Sequence, residues 1–348
     1  HGAVHGVAPE VGVAPDLGYI RGLGFDAVYL TPIFKAMSYH RYDVVDYEAV
    51  DEDLGGAEAF KRLMEEAGRL GVRVILDLPI HHTGSSHPAF QRALGGDPEY
   101  ARLYYIGGNG YETFESVKRM PKLRYPEALE WVKGLAARWS LEGVYDFRVD
   151  VGAGIAPAHL WELREFLGRP LIAEIWGDPY LWRNAVDGAM NYQVWGRLVE
   201  FLRGEADGEE LAEVLRRQLA LLPKSFLGSS WLFLGTHDTP RAATLLGDRG
   251  LVEAGLAFIY TWLGTPMVYY GDEVGMEGGG DPDNRRCMDW SRDDGGLRDL
   301  IRRLSALRPR APKSIKAGRH HVEYSDGAMK VSIANKPMFG SAYYKVEL

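Results

Sequence analysis

Seven short, nearly continuous apolar runs recur along the chain, at residues 27–33, 72–80, 144–151, 171–176, 188–192, 231–238 and 266–273. Most are separated by amphipathic stretches of helix length, among them 57–70, 127–140, 158–168, 208–221 and 250–262. A strand that is apolar on both faces must be covered on both, and a helix between consecutive strands makes the sheet parallel. That alternation fits an open doubly wound sheet or a closed (β/α)8 barrel. No G-x-G-x-x-G follows a strand at the start of a helix, so the barrel is the stronger reading, with one strand still to be found. The missing first strand should precede a helix near 15–22, yet H-G-A-V-H-G-V-A-P is a poor strand candidate.

The expected fold is therefore α/β, a TIM barrel formed by 1–82 and 123–311. Some 40 residues rich in Gly, His, Pro and Tyr follow the second run, and 83–122 is expected to be a small inserted loop domain over the barrel mouth. Loops of that length in compact domains are usually functional. From 312 to 348 short alternating stretches, such as H-H-V-E-Y and M-K-V-S-I-A, predict an abbreviated C-terminal β region.

Composition narrows the partners. The 348 residues are 46% hydrophobic and 25% charged, ordinary for a globular protein. A net charge of −8 argues against a nucleic-acid footprint. No apolar run reaches the roughly 20 residues of a membrane helix. The single cysteine, Cys287, allows no intrachain disulfide framework. A cytoplasmic location is expected, with secretion left open by a chain that begins at His1 rather than Met. Five Asn and one Cys suit a thermophile, although 29 Arg against 11 Lys fits a GC-rich genome equally well.

Polar residues gather where the apolar runs end. Asp77 and His82 close one run, Arg148 and Asp150 another, Glu174 a third, and His237 with Asp238 a fourth. Each has an ordinary explanation alone: Asp77 as a helix cap, Arg148–Asp150 as a structural ion pair, Glu174 as a surface residue. Together they line up at strand C-termini, where barrels of this type build active sites. The stretch F-L-G-T-H-D-T-P-R (233–241) makes the point locally, because an adjacent ionisable pair is costly to bury and should face a cleft.

In order along the chain, D-L-P-I-H-H, F-R-V-D-V, E-I-W and T-H-D resemble the four short motifs of the α-amylase family of glycoside hydrolases. Y-H-R-Y-D-V-V-D-Y (39–47), M-P-K-L (120–123) and G-T-P-M-V-Y-Y-G-D-E-V-G-M-E-G-G-G-D-P-D-N-R-R-C-M (264–288) are most similar to its neopullulanase, cyclomaltodextrinase and maltogenic amylase branch. The resemblance covers roughly 15 to 310. It implies that Asp150 is the nucleophile, Glu174 the general acid/base and Asp238 a stabilising third carboxylate. It further implies that Arg148 keeps Asp150 ionised, that His82 and His237 bind sugar hydroxyls, and that Tyr42 stacks on the cleaved sugar. Arg241 would help orient the site, Trp176 would wall Glu174 from water, and Asp281 with Arg285 would contact the next sugar. A retaining pair needs an ionised nucleophile and a protonated acid about 5 Å apart, so Glu174 should have the less polar or more negative setting.

The implied activity is retaining hydrolysis of α-1,4 bonds, with α-1,6 bonds left open, in maltooligosaccharides, cyclodextrins, pullulan or starch, with weak transglycosylation. An α-glucosidase or a glucosyl-transferring isomerase of the sucrose or trehalose type would use the same site. A non-catalytic carbohydrate-binding barrel would be expected to lack a carboxylate, and here all three are kept.

Four positions depart from the family pattern. His81 stands where Asn is usual and Lys122 where many calcium-dependent members have an acidic residue. Imidazole is a poor ligand for so hard a cation, so no calcium is expected there, and no other metal or cofactor is predicted. Gly154 replaces a Glu or His on the leaving-group side, which should favour hydrolysis, and a Glu restored there should raise transfer. Asp146 stands where Gly is usual. Tyr104, Tyr105, Tyr111 and Phe114 in the insertion either wall the sugar cleft or pack the loop onto the barrel. A β-domain often precedes the barrel in this branch; none is expected here, so a monomer or weak homodimer with access for wider glucans is expected.

Overall fold

The computed structural model describes residues 3–7 as backbone, and 16–292, 295–307 and 309–348 in full. Eight parallel strands close into a barrel, each paired with the next in chain order and the first with the last. They are β1 (Ala3–Val7), β2 (Phe25–Leu30), β3 (Arg73–Leu78), β4 (Asp146–Val149), β5 (Leu171–Ile175), β6 (Gly188–Asn191), β7 (Trp231–Leu232) and β8 (Thr265–Tyr269). The missing first strand is thus A-V-H-G-V, inside the segment that strand propensity disfavours. Its backbone pairs with both neighbours, Val4 opposite Ala27 and Met267, and this two-sided pairing outweighs a poor composition. The run 231–238 is the opposite case, since only two of its residues are strand.

A period of two sorts the side chains. Val28, Leu30, Val74, Leu76, Leu78, Phe147, Val149, Leu171, Ala173 and Ile175 join the surrounding helices in one large core. Ala27, Tyr29, Ile75, Ile172, Met190, Trp231 and Met267 form a separate cluster enclosed by the strands. Continuing that inner register toward the strand C-termini brings up Asp77 after Ile75, Glu174 after Ile172, and Arg148 with Asp150. The outer helices include Gly56–Leu70, Leu129–Leu141, Pro157–Leu167, Gly208–Leu221 and Arg249–Thr261, close to the expected spans.

The excursion after β3 carries helices Pro88–Leu94 and Pro98–Ala101 and a short hairpin, Ile106–Gly107 with Gly110–Tyr111. The M-P-K-L segment stitches it back to the end of β3. Thr83 N–H donates to Pro121 O at 3.1 Å, and Leu123 N–H to His81 O at 3.0 Å. The excursion has its own small core of Ala89, Phe90, Ala93, Leu103, Tyr104, Leu123 and Ala128. Tyr104 and Tyr111 pack on Phe90, while Tyr105 lies beside the cations of Lys122 and Arg124. Of the four aromatics, Phe114 is the one that meets site residues: its ring stacks on His82 at 5.3 Å.

The C-terminal residues form an antiparallel sheet in chain order, β9 (Ser314–Gly318), β10 (His321–Ser325), β11 (Lys330–Ala334) and β12 (Tyr344–Glu347). Its apolar face, with Val322, Tyr324, Val331 and Ile333, joins the outer core. Gly208 opens its helix beneath this sheet, where a β-carbon would lie 2.3 Å from Gly318 O, so only glycine fits. No helix among the described residues is long and apolar enough to cross a membrane.

Asp146, at the start of β4, is a charge in a poorly solvated place. Its Oδ1 is buried without a hydrogen-bond partner. Burial pushes its carboxyl up to about 7, against the pull of Arg73 and Arg169. The folded chain therefore holds a proton that the unfolded chain releases near pH 4, so this stabilisation is complete below about pH 4 and lost as pH rises through about 7. Asp146→Asn, uncharged and of similar shape, is expected to melt higher than the wild type at pH 8 and alongside it at pH 4. Thermal unfolding at the two pH values checks this.

Candidate active site

At the C-terminal mouth of the barrel the inward register ends on a fully buried guanidinium. Arg148 Nη1 donates to Asp77 Oδ1 and Oδ2 and to Asp150 Oδ1, each at 2.8 Å. Its Nη2 lies 3.1 Å from Glu174 Oε1, an ion-pair contact out of line for a hydrogen bond. Arg148 and Asp77 are wholly enclosed. Asp77 also accepts from the hydroxyls of Tyr29 and Tyr42, at 2.6 and 2.8 Å. A buried charge needs partners on every side, and Asp77 has three.

Glu174 is gripped from two directions. Its Oε2 accepts the Val151 N–H at 2.8 Å, and its Oε1 accepts the Trp176 indole N–H at 3.0 Å. Val151 adopts φ 48°, a left-handed conformation costly for a β-branched residue, which turns its N–H toward the carboxylate. Trp176 stacks on Tyr192 at 3.8 Å yet keeps half its surface exposed. It orients Glu174 through this hydrogen bond, and its exposed face borders the mouth.

Asp238 completes the cluster. His237 Nε2 lies 3.0 Å from Asp238 Oδ2, and Arg285 Nη2 donates to Asp238 Oδ1 at 3.2 Å. Because the Tyr42 proton is committed to Asp77, the close Tyr42 oxygen acts as acceptor, and His237 carries its proton on Nε2. The Tyr42 and His237 rings are parallel, 9° apart. Arg285 Nε also reaches His237 O at 3.0 Å and Asp281 Oδ1 at 3.2 Å, and Tyr39 donates to Asp281. His82 is buried with an Nε2 that has no partner among the described residues.

The electrostatics differ from the expectation that Arg148 holds Asp150 fully ionised. Burial, then the Glu174 charge, push the Asp150 carboxyl well above the usual range, with Arg148 pulling the other way. One guanidinium serves Asp77, Asp150 and Glu174 together, so its effect on any single carboxylate is diluted. Burial and Glu174 likewise push Asp238 up to about 7. Protons in such a cluster belong to the group as a whole. His237 and His82 go the other way: burial holds His237 well below its usual value and His82 at about 3, so both imidazoles are neutral.

Arg241 is not brought to this cluster. Its side chain is fully buried against the rings of Tyr269 and Tyr270 and beside Asp272, and it donates to Tyr270 O, so it braces the β8 end rather than touching the cleft. The remaining expected residues, Tyr42, His82, Arg148, Asp150, Glu174, Trp176, His237, Asp238, Asp281 and Arg285, lie around one mouth. Asn284, which donates to His237 O and Thr239 O at 2.8 Å, and Tyr29 belong to the same framework. Tyr29 was legible from the inner register of β2; Val151 was not, since it acts through its backbone.

Comparison with known proteins shows the family. Residues 9–117 and 109–300 match the family described as "Alpha amylase, catalytic domain". The chain belongs to the α-amylase family. Neopullulanase 2 of Thermoactinomyces vulgaris is 35% identical over 323 residues, spanning 86% of this chain and 55% of that protein. A cyclomaltodextrinase from a Bacillus species is 32% identical, spanning 80% and 54%. This α-amylase-family chain thus spans about half the length of the curated relatives it matches. The structure of cyclic α-maltosyl-(1→6)-maltose hydrolase from Arthrobacter globiformis with maltose has a TM-score of 0.88 at 28% identity, covering 97% of this chain and 91% of that one.

The calcium associated with many family members does not fit the residues present at the end of β3. The His81 imidazole is packed against Phe114, and the Lys122 ammonium lies 3.8 Å from Glu112. A neutral ring and a cation are unsuited to a hard divalent ion.

The buried Arg148 sets a stability prediction. Replacing it with methionine leaves buried carboxylates without their cation, expected to cost about 3–5 kcal/mol. The loss should be larger at pH 8 than at pH 5, because protonated carboxyls need no counter-charge. Denaturant titration of Arg148→Met and wild type at both pH values measures it.

Proposed function

We propose that this chain is a retaining hydrolase of α-glucans. The observation that carries the proposal is that Asp150 and Glu174 reach adjacent nitrogens of one guanidinium, with Asp238 fixed beside them. Two carboxyl groups that share a guanidinium are close neighbours, as a nucleophile and acid about 5 Å apart must be; an inverting pair is wider, to admit a water. In the first step Asp150 bonds to the anomeric carbon while Glu174 gives its proton to the departing oxygen. In the second, Glu174 takes a proton from water, which displaces Asp150 and restores the α configuration. Asp238, held by His237 and Arg285, faces the positive charge that develops on the sugar in the transition state of each step. The exposed face of Trp176 offers a stacking surface for a sugar ring.

Maltooligosaccharides and cyclodextrins are the proposed substrates, supported by the neopullulanase and cyclomaltodextrinase relatives, with hydrolysis favoured over transfer. Incubation with cyclodextrin, pullulan and soluble starch, followed by sizing of products, tests the substrate class. Release of glucose alone from chain ends would favour an α-glucosidase instead. Proton NMR of the first product should report the α-anomer, and an initial β-anomer would overturn the mechanism.

Asp150→Asn is nearly isosteric and removes the nucleophile. It is expected to lower kcat more than about a hundredfold while the far-UV spectrum is kept. Steady-state kinetics on maltotriose reads this directly.

A further inference from the structure

We propose that His81 fills the place of a side chain at position 154 and bounds the leaving-group side of the cleft, so that His81 and Gly154 form a matched pair. The proposal rests on the assignment of Glu174 as acid. Gly154 does not need glycine for its backbone, because its φ lies outside the left-handed region. It needs glycine for space. A β-carbon there would lie 2.7 Å from His81 Cδ2, 2.8 Å from His81 Nε2 and 3.1 Å from Val151 Cγ1. Any other residue at 154 must displace the imidazole.

The ring cannot retreat cheaply. His81 is 6% exposed, and its backbone carbonyl accepts from Leu123 N–H at 3.0 Å, tying it to the returning excursion. Its ring meets Phe114 edge-on at 5.9 Å and His82 at 5.6 Å, and its Nδ1 is 3.3 Å from His82 Nδ1. The imidazole is therefore clamped between β3, the excursion and the turn after β4.

Its neighbours fix which side of the cleft it bounds. Val151, whose side chain is the next atom a residue at 154 would strike, gives its N–H to Glu174. The acid protonates the oxygen of the departing sugar and so stands on that sugar's side. Tyr39, Asp281 and Arg285 gather instead around Asp238. Burial, with Lys122 nearby, holds the His81 imidazole down at about 4, so it presents a neutral hydrogen-bonding wall to a glucosyl leaving group or acceptor. A Glu placed alone at 154 thus collides before it can assist transfer.

Two measurements test the pair. Gly154→Ala is expected to lower the melting temperature by about 2 °C or more, and to cost less than half as much in a His81→Ala background. Equal losses in both backgrounds would overturn the fit. His81→Ala should also lower the ratio of kcat/KM on maltotriose to that on an aryl α-maltoside, whose leaving group is not a sugar, by about three- to tenfold. A merely structural role would lower both substrates alike, and an unchanged ratio would overturn the leaving-group assignment. Absence of glucan turnover in the wild type would instead sink the hydrolase reading, while the thermal comparison would still decide the pairing.

Discussion

Everything at the mouth of this barrel is arranged around the burial of one cation. A guanidinium removed from water has to be surrounded by acceptors, and Arg148 finds them in Asp77, Asp150 and Glu174 from three successive strands. Desolvating such a group is costly and is offset only when geometry and hydrogen bonding are good. The secondary contacts from Tyr29, Tyr42, Val151 and Trp176 supply that geometry. Residues that look like a catalytic set are therefore also the residues that make the buried charge tolerable, and neither role can be altered alone.

Most of the fold was legible because a barrel strand must alternate between two apolar environments. The inner register of Ala27–Tyr29, Ile75–Asp77 and Ile172–Glu174 can be followed from core to rim in the sequence itself. The exceptions have physical causes. Ala3–Val7 is a strand because two neighbours pair with it, a property of the closed ring rather than of H-G-A-V-H-G-V. The run 231–238 has the composition of a strand throughout, because buried loop and buried strand share one, yet after Leu232 the chain leaves the ladder to present His237 and Asp238.

The site was legible in its residue types and less so in its balance. The carboxylates, Arg148 and the two histidines were marked by their places at strand ends. The dilution of Arg148 over several carboxylates was not, since it depends on distances that no spacing encodes. Arg241 shows the converse, a charged residue in a suggestive motif whose partners turn out to be Tyr269, Tyr270, a carbonyl and the buried Asp272. Gly154 and His81 were each visible as departures, but their contact joins positions 73 residues apart and emerges only in three dimensions.

The closure of β1 onto β8 has a consequence for how the chain reaches this state. Residues 3–7 cannot find one of their two partners until residues 265–269 have been made and brought back. Contacts of such sequence separation form late, and an unpaired parallel edge is open to wrong partners meanwhile. On a ribosome adding about 5–20 residues per second, that edge stays unsatisfied for many seconds. Closing the ring is therefore a step of high sequence separation, and the growing edge needs shielding from other strands until residues 265–269 arrive.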